Sequence, residues 1–205
     1  MDNLEIQSND CLLIIDVQND FCAAGSLAVP DAEAILPFIN HLSSQFGTVV
    51  LTQDWHPAGH SSFASQHAGK QPFEAIMLPY GEQTLWPDHC VQGSTGSAFH
   101  PELQTDSSQL IIRKGFRHDI DSYSAFYEND HTTTTGLSGY LRARAVNRVI
   151  CVGLALDYCV RFSAIDARRE GFEALVLEKG CRGIDLNRSN ETARQAMREA
   201  GVSLI

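Results

Sequence analysis

The sequence contains no long hydrophobic run, no run of basic residues and no leader-like segment at its start. Its apolar stretches are far too short to cross a bilayer, and residues 1–5 lack the basic and apolar regions of a signal peptide. The net charge of −10 argues against nucleic acid or an anionic membrane as a partner. We therefore expect a soluble, cytoplasmic protein that acts on a small molecule.

Two common motifs are also missing. No Gly-x-Gly-x-x-Gly pattern follows a predicted strand, so a dinucleotide site has little support. The cysteines show no Cys-x-x-Cys spacing, and two of them lie inside apolar, strand-like runs. We interpret all of them as reduced thiols with no disulfide framework. They are Cys11, Cys22, Cys90, Cys151, Cys159 and Cys181.

The periodic segments that are present indicate an α/β fold. Predicted strands alternate with predicted helices, which is typical of a parallel sheet covered on both faces. With 205 residues, 43% hydrophobic content and no linker-like segment, we expect a single domain over 1–205. The predicted fold is a three-layer, doubly wound sandwich with a mainly parallel sheet of about six strands. The strands are expected at 11–16, 48–53, 109–113, 148–152, 173–177 and 202–205, and the helices at 30–46, 134–146, 157–170 and 190–200.

Chemically useful residues follow several of these predicted strands. Asp16, Asp54 and Lys114 each come at or just after a strand end, and Cys159 follows a chain break at Gly153. In doubly wound folds the site lies beyond the carboxyl ends of the strands. Cys159 is predicted in the first turn of a helix, where free amides and the helix dipole favour a thiolate.

Three of these residues can be combined into an acyl-transfer site. Cys159 would be the nucleophile, Asp16 the base that takes and returns the proton, and Lys114 the cation that lowers the pKa of the thiol. Each also has an ordinary structural interpretation: a core thiol, a carboxylate that caps a helix, and a surface lysine. The pattern alone leaves both interpretations open.

A long region with little periodic pattern, at about 54–107, separates the second and third predicted strands. Loops of that length inside compact domains are usually functional. This region holds five of the eight histidines and both tryptophans. Asp54, His56 and His89 could supply one carboxylate and two imidazoles to zinc, iron or manganese, with solvated loop histidines as the alternative. The same region offers two further candidate ligands whose geometry no spacing fixes, His60 and His67.

Five short motifs lie in order along nearly the whole chain: Asp16-Val-Gln-Asn-Asp-Phe21, Asp54-Trp-His56-Pro, Trp86-Pro-Asp-His89-Cys-Val-Gln-Gly93, Lys114-Gly and Gly153-Leu-Ala-Leu-Asp-Tyr-Cys159-Val. Together they resemble the nicotinamidase/pyrazinamidase enzymes of the isochorismatase-like cysteine hydrolases. The Asp-x-His and Trp-Pro-x-His motifs distinguish that family from relatives that hydrolyse isochorismate or other amides.

The resemblance implies a reaction and the residues that perform it. The enzyme would convert nicotinamide, and also pyrazinamide, to the acid and ammonia through a thioester, in NAD salvage. Cys159 would be the nucleophile, Asp16 the proton acceptor and donor, and Lys114 the residue that holds the pair ionised. No organic cofactor is implied. One divalent metal ion (Zn, Fe or Mn) would bind the pyridine nitrogen of the substrate and be held by Asp54, His56 and His89.

The resemblance also implies a substrate pocket. Phe21 and Trp86 would sandwich the ring, and Leu27 and Tyr123 would form further walls. The peptide bond before Ala155 would be cis, and the backbone amides of Ala155 and Cys159 would form the oxyanion hole.

Two features depart from the family pattern. Leu156 stands where the family has Thr in Gly-x-Ala-Thr-Asp-x-Cys, which removes a hydroxyl beside the nucleophile. The segment between Lys114 and Tyr123 is slightly longer than usual. The alternatives are a related isochorismatase-like hydrolase acting on another small amide or ether, and a non-catalytic binding member, which we would expect to lack one of the three catalytic residues. The sequence leaves open whether the protein is a monomer or a homo-oligomer.

Overall fold

Six parallel strands and four helices form the core of the structure, a computed structural model that describes residues 4–205. Residues 1–3 of the predicted domain lie outside the described residues. In chain order the elements are β1 (Asp10–Ile15), α1 (Leu36–Ser43), β2 (Thr48–Asp54), β3 (Ala75–Leu78), β4 (Gly81–Thr84), β5 (Leu110–Lys114), α2 (Leu137–Ala143), β6 (Arg148–Leu154), α3 (Arg161–Arg169), β7 (Glu173–Arg182), α4 (Ser189–Glu199) and β8 (Ser203–Leu204).

The main sheet has the strand order β5-β2-β1-β6-β7-β8, and every neighbouring pair is parallel. All six residues of β1 are buried, as expected for a central parallel strand covered on both faces. The chain moves outward from β1 in one direction through β2 and β5, and then in the other direction through β6, β7 and β8. The strand order therefore reverses between β1 and β6, and a crevice at their carboxyl ends is the expected ligand site.

Helix α1 covers one face of this sheet, and α2, α3 and α4 cover the other. Leu12 and Ile14 of β1 belong to the apolar cluster that includes Ile39 of α1. Cys11 and Leu13 belong to the opposite cluster, which also contains core residues of α2, α3 and α4. Because successive side chains of a strand point to opposite faces, a strand between two helical layers reads as one unbroken apolar run. The predicted three-layer α/β sandwich is confirmed.

The long region 54–107 contains an element that the sequence pattern did not indicate. Strands β3 and β4 form an antiparallel hairpin, with Leu78 paired to Gly81 across a two-residue turn. Each strand has only four residues, and β3 alternates between exposed and half-buried positions without a polar face. Such short strands carry too little period-two signal to be recognised.

Three predicted helices begin later than the apolar pattern suggested. The segment predicted at 30–46 is a 3-10 turn, Ala32–Ile35, followed by α1. The segment predicted at 157–170 opens with a single wide turn, Leu156–Val160, in π geometry, and α3 begins only at Arg161. The predicted helix at 134–146 is shorter, Leu137–Ala143. Among residues 4–205, no helix is both long and apolar enough to cross a membrane.

Candidate active site

Four strand ends bring the predicted catalytic residues to one edge of the sheet. Asp16 directly follows β1, Asp54 ends β2, Lys114 ends β5, and Cys159 lies in the wide turn after β6. The register pairs Asp54 with Lys114 across β2 and β5. Because these strands are parallel neighbours, their carboxyl ends converge at the crevice described above.

Lys114 is the centre of this group. Its Nζ atom lies 2.8 Å from Oδ2 of Asp16, 3.0 Å from Oδ1 of Asp54 and 3.4 Å from Sγ of Cys159, and it also donates to the carbonyl of Ser122 at 3.0 Å. Burial lowers the pKa of Lys114, but the two carboxylates outweigh burial and hold that pKa well above its usual value. The side chain is therefore a buried, charged ammonium that joins the predicted base to the predicted nucleophile.

Asp16 is held in one orientation by the neighbouring strand. Its backbone adopts the left-handed region, with φ of 49°. Thr52 of β2 accepts a hydrogen bond from the Asp16 amide at 3.2 Å and donates its hydroxyl proton to Oδ1 at 2.6 Å. Burial raises the pKa of Asp16, Lys114 lowers it, and Asp54 raises it again, so that the net direction is upward. A carboxyl with a raised pKa is suited to accept and return a proton.

The turn that carries Cys159 follows a cis peptide bond between Leu154 and Ala155, as the resemblance implied. The amides of Tyr158 and Val160 both donate to the carbonyl of Ala155, which fixes the width of the turn. Cys159 is 7% exposed. Burial raises the pKa of its thiol well above the usual value, because the opposing effect of Lys114 is outweighed by burial and the two carboxylates. Lys114 lowers this pKa as expected, but the buried carboxylates favour the thiol and the net direction is upward. Cys159 lies in the wide turn that leads directly into α3.

Leu156, the departure from the family pattern, has a structural explanation in this chain. Its side chain is 3% exposed and belongs to the apolar cluster beneath α3 and α4. The next residue, Asp157, anchors the turn by accepting hydrogen bonds from the amides of Ile184 and Asp185 and from the hydroxyl of Ser189. A buried methyl-bearing side chain and a fully bonded carboxylate thus hold the turn from the side away from the cavity.

A second group of residues faces the same crevice. Nε2 of His56 and Nε2 of His89 lie 3.1 Å and 3.4 Å from Oδ2 of Asp54, and all three side chains are buried. The other ring nitrogens are already engaged, since Nδ1 of His56 lies 2.9 Å from the carbonyl of Gly115 and Nδ1 of His89 lies 2.8 Å from that of Pro87. Such bonds orient metal-binding imidazoles in proteins.

The donor set fits a divalent metal ion. Two imidazole nitrogens and one carboxylate oxygen converge within 4.8 Å of one another. Burial raises the pKa of Asp54, but His56 and Lys114 outweigh it and hold that pKa well below its usual value, so the carboxylate is available as a ligand. One carboxylate with two imidazoles suits a borderline ion and leaves coordination positions open.

The two further candidate histidines differ in position. His60 lies beside the group, with its ring centroid 4.4 Å from that of His56, and it forms a second possible donor set with His56 and Asp121. His67 instead bonds the carbonyl of Ser61 at 2.8 Å and belongs to neither donor set.

A small cavity, partly open to solvent, lies between the two groups. Its wall includes Asp54, His89 and Cys159, and all four predicted pocket residues contribute to it: Phe21, Leu27, Trp86 and Tyr123. The sequence analysis missed three further lining residues, Asp121, Tyr158 and Ile184. Asp121 and Tyr158 lie close in sequence to Tyr123 and Cys159, so proximity to those residues is the signal that could have identified them.

The pocket wall is supported by Gln83 of β4, which the sequence did not indicate. Its buried side-chain amide donates to Oδ2 of Asp121 at 2.8 Å and to the hydroxyl of Tyr123 at 2.9 Å. The indole of Trp86 donates to the same hydroxyl at 3.1 Å. The hairpin therefore holds two aromatic walls and a buried carboxylate in one network.

Gln18 supports the proposed metal ligand Asp54 in a similar way. Its side chain accepts from the amide of Asp54 and donates to the carbonyls of Asp54 and Ser97, each within 2.9 Å. Gln18 lies in the first motif of the sequence, between Asp16 and Phe21, but its position in that motif did not predict a function for it.

Comparison with known proteins relates this arrangement to a family. The family model for the isochorismatase domain matches residues 10–205. The chain is 52% identical to the nicotinamidase of Acinetobacter baylyi over 97% of this chain and 94% of that protein.

Two solved structures have the same fold. The Acinetobacter baumannii nicotinamidase/pyrazinamidase superposes with a TM-score of 0.96 at 55% identity, covering 98% of this chain and 97% of that one. The pyrazinamidase of Pyrococcus horikoshii, solved in complex with zinc, superposes with a TM-score of 0.78 at 32% identity, covering 96% of this chain and 98% of that one.

Proposed function

The chain belongs to the isochorismatase family, and we propose that it is a nicotinamidase, a metal-dependent cysteine amidohydrolase that converts nicotinamide to nicotinate and ammonia. The observation that carries this proposal is the position of Lys114, whose ammonium contacts Asp16, Asp54 and Cys159. Asp54 and Cys159 line the cavity. A nucleophile, a base and a cation in mutual contact are the parts that acyl transfer requires. The relatives are nicotinamidases, which suggests the substrate class.

The first chemical step is attack by Cys159 on the carboxamide carbon. The pKa directions of Cys159 and Asp16 are both upward, so the resting pair holds a thiol next to a carboxylate that is a stronger base than usual. As the sulfur attacks, its proton passes to Asp16, while Lys114 stabilises the anionic charge that develops. The backbone amides of Ala155 and Cys159 are proposed to hold the oxyanion.

The second step releases ammonia. The tetrahedral intermediate collapses, the carbon–nitrogen bond breaks, and Asp16 returns its proton to the leaving nitrogen. The product is a thioester between the former carboxamide carbon of the substrate and Sγ of Cys159. Asp16 then takes a proton from water as the water oxygen attacks the thioester carbon. The carbon–sulfur bond breaks, Asp16 returns this proton to the sulfur, and the acid loses its own proton to solvent as nicotinate. Each proton that Asp16 accepts is returned, so the cycle balances.

Asp54, His56 and His89 are the residues that would hold a divalent ion, for which zinc, iron and manganese are all suitable. When bound, such an ion supplies a Lewis-acidic point that attracts the pyridine nitrogen of the substrate. Asp54, His89 and Cys159 line the same cavity. A substrate ring held near Asp54 and His89 would therefore direct its carboxamide toward the sulfur of Cys159.

The remaining cavity residues are proposed to bind the ring. Phe21 and Trp86 would sandwich it, and Leu27 and Tyr123 would provide further apolar contact. Pyrazinamide has the same shape, so we propose it as a second substrate. The reaction would recover the pyridine ring for NAD synthesis. All six cysteines are free thiols, which supports a cytoplasmic location.

The test is ammonia release from a panel of amides by the purified protein, before and after treatment with a chelator. We expect turnover of nicotinamide and pyrazinamide and much slower turnover of benzamide, which lacks the ring nitrogen. Chelation should reduce the rate, and zinc or manganese should restore it. Faster hydrolysis of benzamide or of an aliphatic amide would favour the related hydrolase acting on another small amide.

A further inference from the structure

A second group of metal-ligating side chains lies outside the active site. Cys22, Glu33 and His100 bring a thiol, a carboxylate and an imidazole together, with ligand atoms that all lie within 4.8 Å of one another. Cys22 is 2% exposed, while Glu33 and His100 are half-buried. None of the three has a part in the proposed reaction. We propose that these residues form a second metal site, which takes a single zinc-class divalent ion.

Three separate segments supply the ligands, and backbone bonds hold each segment in place. Cys22 directly follows the 3-10 turn Asn19–Phe21, and its amide donates to the carbonyl of Asn19. Glu33 lies in the turn before α1, where its Oε1 accepts from the amide of Ala23 at 2.6 Å. The amide of His100 donates to the carbonyl of Val17 at 3.0 Å. The donors are therefore positioned by the fold before an ion binds.

The donor types select a class of ion. Thiolate and imidazole ligands together favour zinc and similar borderline ions over magnesium or calcium. A tetrahedral zinc ion with bonds of about 2.0–2.3 Å keeps its ligand atoms roughly 3.3–3.8 Å apart. Ligand atoms within 4.8 Å of one another need to move inward by less than about 1 Å to reach that geometry. The half-buried carboxylate and imidazole can make this movement, and a water molecule would complete the shell.

Cys22 carries its proton when no ion is bound, because burial and the nearby Glu33 carboxylate raise the pKa of its thiol to about 11. Binding of a divalent ion replaces the thiol proton, which leaves to solvent as the metal–sulfur bond forms. Nδ1 of His100 accepts a hydrogen bond from the amide of Glu102 at 3.2 Å, and coordination through Nε2 would give up this weak contact.

The site lies directly behind a wall of the substrate cavity. Phe21, which lines the cavity, is bonded to Cys22 in sequence, and the amide of Val29 donates to the carbonyl of Phe21. An ion held by the three ligands would tie this wall to the turn before α1 and to the end of the long region. Its role is structural, because no ligand faces the reacting atoms.

Cobalt(II) tests the proposal, because a cobalt–thiolate bond gives a near-ultraviolet charge-transfer band that oxygen and nitrogen ligands do not. The metal-free full chain is titrated with cobalt, and the same titration is run on Cys22→Ser and Cys159→Ala. We expect the band in the unmodified protein and in Cys159→Ala. Cys22→Ser should lose the band and should bind one cobalt ion fewer than the unmodified protein. Any other pattern, including no band in the unmodified protein, overturns the proposal.

Two further variants keep the test decisive if Cys22→Ser fails to fold. In Glu33→Gln and in His100→Gln, the cobalt affinity measured from the thiolate band should fall by at least about tenfold. Unchanged affinity in both variants would contradict the site. The result is independent of the proposed reaction, because ammonia release is measured in the same samples. A thiolate band in a protein that releases no ammonia would refute the nicotinamidase proposal and leave this site standing.

Discussion

The ammonium of Lys114 lies 3.0 Å from Oδ1 of Asp54, while Oδ2 of the same carboxylate faces the two histidines. Asp54 thus belongs to both groups of the site, and Lys114 connects it to Asp16 and Cys159. The proposed metal ligands and the proposed nucleophile are therefore linked by two buried contacts of Lys114.

Replacement of Lys114 tests the buried charge network. Lys114→Met leaves Asp16 and Asp54 buried without their shared cation, so we expect a loss of about 3–5 kcal/mol in the free energy of unfolding and no measurable turnover. Urea denaturation measures the first effect and ammonia release the second.

Lys70→Met is the matched control. Lys70 forms an exposed pair with Glu74, at 2.9 Å, and its loss should cost at most about 0.5 kcal/mol. Equal stability losses in the two variants would show that burial of the Lys114 network has no energetic consequence.

Gly115 tests the geometry of the proposed ligands. It has a φ of 64°, and a Cβ atom there would lie 2.4 Å from Cε1 of His56. Gly115→Ala must therefore displace the imidazole, and we expect metal affinity to fall about 10–100-fold. Metal binding measured by competition with a chromophoric chelator reports the change directly.

Gly69→Ala separates backbone strain from the contact with His56. Gly69 has a similar φ of 76°, but a Cβ atom there would meet nothing within 4 Å. This variant should cost about 1–2 kcal/mol in stability and leave metal affinity unchanged. If it lowers metal affinity as much as Gly115→Ala does, the contact with His56 is not the cause.

Gln83 is predicted to position the pocket wall without touching the reacting atoms. Gln83→Leu removes the amide that donates to both Asp121 and Tyr123. The Tyr123 hydroxyl then keeps only its hydrogen bond from Trp86, so the aromatic wall is held less firmly. We expect the KM for nicotinamide to rise about tenfold with a smaller change in kcat, because ring binding is weakened more than the chemical step.

Gln195→Leu, on the exposed face of α4, is the control for that substitution and should leave both constants unchanged. A purely structural role for Gln83 would instead lower the melting temperature without a selective effect on KM.

The sequence predicted that four site residues converge because each of them lies at or shortly after the carboxyl end of a strand. Asp16, Asp54, Lys114 and Cys159 each follow an apolar run, and parallel strands carry their last residues to the same edge whatever their separation in the chain. Local pattern and fold class were sufficient for that inference. His89 was a candidate ligand only because the long region concentrates histidines, and the pocket residues depended on the family resemblance, because all of them lie in segments with no periodicity.

Other features could not be predicted from local pattern. Gln83 reaches Asp121 only because the β3–β4 hairpin folds back over the pocket. The upward pKa shift of Cys159 results from burial and from two carboxylates that lie far away in sequence. The single-domain limits of 1–205 and the roles assigned to the site residues stay predictions.

The most direct test of the account is ammonia release from nicotinamide by Cys159→Ala, with its metal content and folding verified. Cys11→Ala is the control, since Cys11 is buried near the opposite end of β1. We predict a loss of at least about 1,000-fold in kcat for Cys159→Ala and near-normal turnover for Cys11→Ala. Retained turnover in metal-loaded Cys159→Ala would contradict the thioester mechanism and require water to attack the amide directly.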